Sequence, residues 1–418
     1  MLDDAIRYRE SLVVLQRCRT EQVVPDLKWV HHACRGSRTL VGASLVDADI
    51  LIRSGRIVAV VSRADRGPGS LQNEIPDEEE RLDVSGCIVS PGLIDLHFHG
   101  CMGSDLCDAT PEALHAIASY EASRGVTAIC PATMAYPEER LDAVMAQVAA
   151  FAPAAGESSL VGVNLEGSFI SPVRVGAQNP AFVQRCDVSM MHRLQETAHG
   201  LIKIVAVAPE EPGALEFVRE ISGEVRASLA HTCADYVCAA EAFDAGARHL
   251  THLFNAMPPL HHREPGPIGA AVERDDVTPE LIADGVHVHP AMVRLAFDLF
   301  GASRMILVSD SMRACGMGDG VYDLGGQEVH VEGARATLAD GTLAGSVTDL
   351  AACVRIATRE MGIPLESVLL AATANPARVL GVDGERGSIE AGKLADLVCF
   401  DVDLRVKHVI LRGELLRS

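Results

Sequence analysis

The spacing of apolar positions changes along the chain and divides it into three stretches. From about Ser37, short β-prone runs at 39–41, 48–52 and 57–61 are joined by turn residues such as Ser54-Gly55-Arg56, which predicts a small antiparallel sheet. The far end repeats this pattern. Gly387-Ser388-Ile389-Glu390-Ala391-Gly392-Lys393 leads into apolar runs at 396–400 and 406–411. The simplest account is one small β-sandwich domain built from both chain ends, 28–88 and 386–418. Within it, 64–82 is polar and acidic and reads as a solvated loop. Residues 1–27 form an N-terminal extension without a readable role, apart from a short helical pattern at 12–15.

Between 89 and 385 the pattern alternates. Apolar runs at 88–99, 126–133, 160–166, 202–208, 225–231, 249–253, 281–288 and 305–310 read as buried strands. Amphipathic stretches such as 111–124, 138–151 and 234–245 lie between them and read as helices. Eight strands alternating with helices predict an α/β fold, a TIM-type (β/α)8 barrel, with functional groups at the C-terminal ends of the strands.

Composition narrows the function. An apolar fraction of 48% excludes wholesale disorder. A net charge of −21 argues against nucleic acid or an anionic membrane as partner, and an anionic substrate would need a local cationic pocket. The 12 cysteines are scattered with no CxxC pair, so they read as reduced residues of a cytoplasmic protein. No apolar run approaches the roughly 20 residues of a membrane span, and the first residues lack a signal-peptide pattern.

The candidate chemistry lies at the predicted strand ends. His97 and His99 close the first strand and, two residues apart, face the same side. Glu166, His231, His252 and Asp310 close four others. Any one of these alone is more often a hydrogen-bonded core histidine or a helix N-cap; their shared position is what points to a divalent metal, one ion or two bridged by Glu166. Zn²⁺ is the first expectation, with Fe²⁺, Mn²⁺ and Co²⁺ as alternatives. The metal would activate water for hydrolysis, with Asp310 as the acid/base. Cys101 could reach the metal as a thiolate, but the core reading is preferred. Lys203 sits at the wrong end of its strand to bridge two ions. His249 falls on the strand face opposite His252, and the other histidines keep ordinary structural readings. Neither a GxSxG nucleophile elbow nor a GxxxxGK[ST] phosphate loop occurs.

The Pro91-Gly92-Leu93-Ile94-Asp95-Leu96-His97-Phe98-His99-Gly100 segment and the two-ended β domain resemble the amidohydrolase superfamily. Leu165-Glu166-Gly167-Ser168-Phe169, Thr251-His252-Leu253-Phe254-Asn255-Ala256-Met257, Arg263-Glu264-Pro265-Gly266 and Ala283-Asp284-Gly285-Val286-His287 are similar, within it, to the N-acetylglucosamine-6-phosphate deacetylase family. The resemblance runs from about residue 37 to the C-terminus. It implies removal of the acetyl group from a phosphorylated amino sugar, with Glu166, His231 and His252 as common metal ligands and His97 and His99 at a second metal position. It also implies that the Asn255–Ala256 main chain and His287 bind the phosphate, and that Leu343 packs beside the acetyl group. Arg263 would reach the neighbouring site of a homodimer. Gln178, after Ala177, stands where some members carry His, and would bond a sugar hydroxyl. Competing readings are deacetylation of N-acetylgalactosamine 6-phosphate, hydrolysis of another N-acyl or cyclic amide, and a non-catalytic scaffold barrel.

Overall fold

The computed structural model describes residues 29–32, 38–62 and 80–416. The extension 1–27 and nearly all of the 64–82 loop lie outside the described residues. The central element is a ring of eight short parallel strands: β1 (Leu93–Asp95), β2 (Val126–Ile129), β3 (Val163–Phe169), β4 (Ile202–Val207), β5 (Arg226–Leu229), β6 (His249–Leu250), β7 (Thr278–Ile282) and β8 (Ile306–Val308). Continuous ladders join β1 to β2 and run from β3 through β8. A parallel bridge between Ala132 and Asn164 joins β2 to β3. The ring closes just beyond β8, where Asp310 N–H donates to the His97 carbonyl (3.0 Å) and His99 N–H to that of Ser311 (2.7 Å).

Each strand is followed by a helix: α1 (Pro111–Ser123), α2 (Glu138–Ala150), α3 (Val188–Thr197), α4 (Ala214–Ile221), α5 (Tyr236–Ala245), α6 (Gly266–Val272), α7 (Pro290–Phe300) and α8 (Leu350–Arg359). Local sequence sets their starts. Thr110, Asp187, Asp235 and Asp349 each accept a first-turn N–H, satisfying donors that a helix leaves open. On α4 the buried residues Ala214, Phe217, Val218 and Ile221 fall on one stripe, and Phe217 packs against Phe169 of β3 at 4.9 Å between ring centres.

The run at 88–99 is not one strand. Ile88–Pro91 pairs with Leu397–Phe400 in the small domain, and only Leu93–Asp95 enters the barrel. Gly92 sits at the break, where a Cβ would lie 2.1 Å from Thr127 Oγ1. Consequently His97 and His99 do not close a strand but follow it. The same correction applies to His231, His252 and Asp310, each two residues beyond its strand, whereas Glu166 lies inside β3 rather than at its end.

Both chain ends build the small β region. One sheet orders Glu414–Leu415, Val406–Leu411, Leu397–Phe400, Ile88–Pro91, Arg38–Val41 and Ser44–Val46; the other orders Arg56–Ser62, Ala48–Arg53, Trp29–His32 and Glu80–Arg81. Ile50, Ile52 and Ile57 from the second meet Val89, Leu397, Cys399 and Ile410 from the first, the packing of a sandwich. An antiparallel ribbon over Gly320–Leu324, Gln327–Glu332 and Arg335–Thr337 follows Asp310 and had no counterpart in the sequence pattern. Among the described residues no helix is long and apolar enough to cross a membrane.

Candidate metal centre

Three turns aim the candidate ligands inward. His231, His252 and Asp310 have φ of 44°, 26° and 48°, the left-handed region, which costs a non-glycine residue roughly 1–3 kcal/mol. Each turn comes directly after a rigid strand and folds its side chain back over the barrel mouth. The result is a compact cluster of buried groups. Glu166 Oε1 lies 3.1 Å from His231 Nε2, 3.3 Å from His252 Nε2 and 3.6 Å from His97 Nε2. His231 Nε2 and His252 Nε2 are 3.1 Å apart. His99 Nε2 lies 3.5 Å from Glu166 Oε2 and 3.4 Å from Asp310 Oδ1, which is also 3.7 Å from His97 Nε2.

These spacings fit a metal. Ligand atoms about 2.1 Å from a tetrahedral ion sit about 3.4 Å from one another, and the contacts given above scatter around that separation. Two sets share Glu166: His97 with His99, and His231 with His252. His97 Nε2 is buried without a hydrogen-bond partner among the described residues, as a ligand nitrogen would be. Cys101 is no part of either set, and burial pushes its thiol up, away from the thiolate form.

Surrounding groups fix the orientation. His231 Nδ1 donates to the Arg174 carbonyl at 2.9 Å, which turns Nε2 toward Glu166 and makes it the nitrogen that would give up its proton to a metal. Gln178 lines the cavity, but its amide is already engaged: Nε2 donates to Glu166 Oε2 (2.8 Å) and Oε1 accepts from Ala135 N–H (2.7 Å). One Nε2 hydrogen is left for a ligand. Gly167, at φ 102°, makes this contact feasible, since a Cβ there would sit 2.6 Å from Gln178 Oε1.

Burial opposes every charge in the cluster, and its members offset that cost for each other. For Glu166, the charge on His97 and bonds from His231 and His252 outweigh burial and hold the carboxyl well below its usual range. Burial also opposes charge on Asp310, but His99, His97 and His252 keep it low. For His97, burial lowers the pKa, while the Glu280 and Glu166 carboxylates raise it further. For Asp95, beneath the mouth, burial prevails and lifts it to about 7, against the lowering by N–H groups from Ser309 and His97 and by the charge on His97.

His99, Glu166, His231, His252 and Asp310 floor a cavity of about 380 Å³. Its walls include Ala177, Gln178, Asn255, Ala256, His287 and Leu343. Asn255 turns both its main-chain N–H and its side-chain amide inward, onto the carbonyls of His252 and Leu253. His287 Nδ1 bonds Asp284 Oδ2 at 2.7 Å; burial lowers the ring's pKa, but that carboxylate more than restores it. Arg263 does not line this cavity. It is exposed, with its guanidinium 2.9 Å from His262 Nε2, on a second concavity with Tyr236 and Pro259.

Sequence reasoning missed several groups. Glu280, Arg174 and Asp284 carried no expected role, and His249 received a structural reading. Glu280 is fully buried, with His97 Nδ1 at 2.7 Å and His249 Nε2 at 2.9 Å. The signal was an acid inside the apolar run Pro279-Glu280-Leu281-Ile282, where a charge is rarely buried unless it is partnered.

Comparison with known proteins places the chain. Residues 88–416 match the profile of the Amidohydrolase family. The chain is 39% identical to N-acetylglucosamine-6-phosphate deacetylase of Bacillus subtilis (strain 168) over 370 residues, 87% of this chain and 91% of that protein. It is 37% identical to N-acetylgalactosamine-6-phosphate deacetylase of Escherichia coli O157:H7, over 78% of this chain and 87% of that one. It superimposes with a TM-score of 0.85, at 33% identity, on a mutant of N-acetyl-D-glucosamine-6-phosphate deacetylase from Mycobacterium smegmatis in complex with N-acetyl-D-glucosamine-6-phosphate, covering 93% of this chain and 100% of that one. The chain belongs to the amidohydrolase family.

Proposed function

We propose that this chain hydrolyses the N-acetyl group of N-acetylglucosamine 6-phosphate, releasing acetate and glucosamine 6-phosphate in amino-sugar breakdown or recycling. The observation that carries the reading is the convergence of His99, His231, His252, Glu166 and Asp310 on the floor of one cavity, with His97 buried against Glu166 and His287 in the wall. The named relatives, similar over most of their length, support the same reaction.

Glu166, His231 and His252 would hold one divalent metal, and His97 and His99, sharing Glu166, a second. Zinc suits this nitrogen and oxygen set, with Fe²⁺, Mn²⁺ and Co²⁺ as alternatives. When bound, the metal polarises the acetyl carbonyl and lowers the pKa of water. Asp310, whose Oδ1 lies 3.4 Å from His99 Nε2 at the cavity floor, takes a proton as the water oxygen bonds to the carbonyl carbon. It passes that proton to the nitrogen as the C–N bond breaks, so acetate and a free amine leave. Leu343 packs beside the acetyl methyl. His287, held by Asp284, and the Asn255–Ala256 turn receive the phosphate on a chain whose overall charge would repel it.

Catalysis falls within the proposed barrel domain, 89–385, with 28–88 and 386–418 forming the small β domain. The proposed assembly is a homodimer in which Arg263 enters the neighbouring cavity; its exposure and its place outside its own cavity support this. Arg263→Ala would then raise KM for phosphorylated sugar about tenfold or more, since a charge-assisted bond is worth about 1.5–3 kcal/mol. Equal effects on phosphorylated and unphosphorylated sugars would rule that role out. A reducing compartment, the cytoplasm, suits the ten unbridged cysteines among the described residues.

The test of substrate is kcat/KM for acetate release from N-acetylglucosamine 6-phosphate, N-acetylgalactosamine 6-phosphate and N-acetylglucosamine. The first should be fastest. Preference for the second would reassign the sugar, and preference for the third would remove the phosphate from the account.

A further inference from the structure

Resting on the reading of the cluster as a two-ion centre, we propose that Glu280 is the positioning residue of its His97–His99 half. It would hold His97 with Nε2 as the open ligand atom through a buried relay that starts at Thr278. The direction of the relay follows from its donors. The main-chain N–H of His252 can only donate, so Glu280 Oε2, 3.1 Å away, accepts. The same oxygen lies 2.7 Å from His97 Nδ1, so Nδ1 carries the proton and Nε2 the lone pair. Glu280 Oε1 accepts from His249 Nε2 at 2.9 Å. His249 Nδ1 is then the acceptor for the Thr278 hydroxyl at 2.7 Å, a shorter contact than that hydroxyl makes to the Arg248 carbonyl at 3.3 Å.

Thr278 opens β7 at the bottom of the barrel, and His97 lies at its mouth. The relay therefore crosses the barrel interior in one direction, through side chains of Glu280, His249 and His97 that are fully buried. An ionised carboxylate this deep is costly unless it is well partnered, and Glu280 has three N–H donors. Among the described residues its hydrogen bonds to the other half go through the main chain at 252–253, where its own carbonyl also accepts from Leu253 N–H. The ring of His252 is not oriented by it.

Metal-free wild-type, Glu280→Gln and Thr278→Val chains would be checked for folding by circular dichroism and titrated with Zn²⁺, counting bound ions by elemental analysis at fixed free Zn²⁺. Wild type should take two ions. Glu280→Gln should hold one of them about 10–100-fold more weakly and the other unchanged, with Thr278→Val shifted in the same sense by less. In a His97→Ala background, Glu280→Gln should make no further difference, because the group it positions is gone. Two ions bound to Glu280→Gln with wild-type affinity would overturn the proposal. So would an additional loss in the His97→Ala background, which would mark Glu280 as a general structural residue. A wild-type chain that binds one ion, unaffected by His97→Ala, would overturn the two-ion reading itself.

Discussion

His97 is steered by a carboxylate from β7, two strands round the barrel, whereas His231 is steered by the main-chain carbonyl of Arg174 in a nearby loop. Both imidazoles present Nε2 to the same oxygen of Glu166. On the His231–His252 side the geometry comes from left-handed turns after β5 and β6, so it is written largely into the backbone. On the His97–His99 side it comes from a polar chain through the core. A backbone-held ligand survives most side-chain changes around it. A ligand held by another side chain can be detuned by one substitution at a distance, so the two halves should differ in how easily each loses its ion.

The largest effect should come from breaking what the halves share. Glu166→Ala removes a ligand from both, and elemental analysis should find metal content near zero with acetate release gone. Retention of one tightly held ion would show that the halves are independent of Glu166. Next comes Asp310→Asn, which separates chemistry from metal binding. It should lower kcat by about 10²–10⁴-fold with metal uptake largely intact, and an unaltered kcat would exclude proton transfer at Asp310.

A smaller effect lies outside both halves, at His287. Asp284 raises the pKa of this imidazole, so its cation persists above the ordinary value of about 6.5 and is lost as pH rises through the raised value. KM for the 6-phosphate should therefore climb on the alkaline side of that titration, while KM for the unphosphorylated sugar stays level. Parallel profiles would take His287 out of phosphate binding.

The two halves also differed in how legible they were. His97 and His99 stand out in the sequence because residues two apart share a face, and His231, His252 and Asp310 because each ends an apolar run. What the pattern could not give is that these residues lie beyond their strands. A left-handed φ at a histidine is imposed by tertiary contacts, and nothing in local propensity marks it. The split at Gly92 was hidden because both pieces of 88–95 are apolar, one for each sheet. Glu280 was passed over because the strand was expected over 281–288 and lies instead over Thr278–Ile282, and His249 because its partner is an interior carboxylate rather than the mouth. The ribbon at 320–337 alternates too briefly among glycines to announce three strands.

The most direct test of the central claim, that this buried cluster is the metal centre of a deacetylase, is acetate release from N-acetylglucosamine 6-phosphate before chelation, after it, and after Zn²⁺ is returned. The account predicts turnover that disappears with the metal and comes back with it. Undiminished turnover by protein shown by elemental analysis to be metal-free would contradict it.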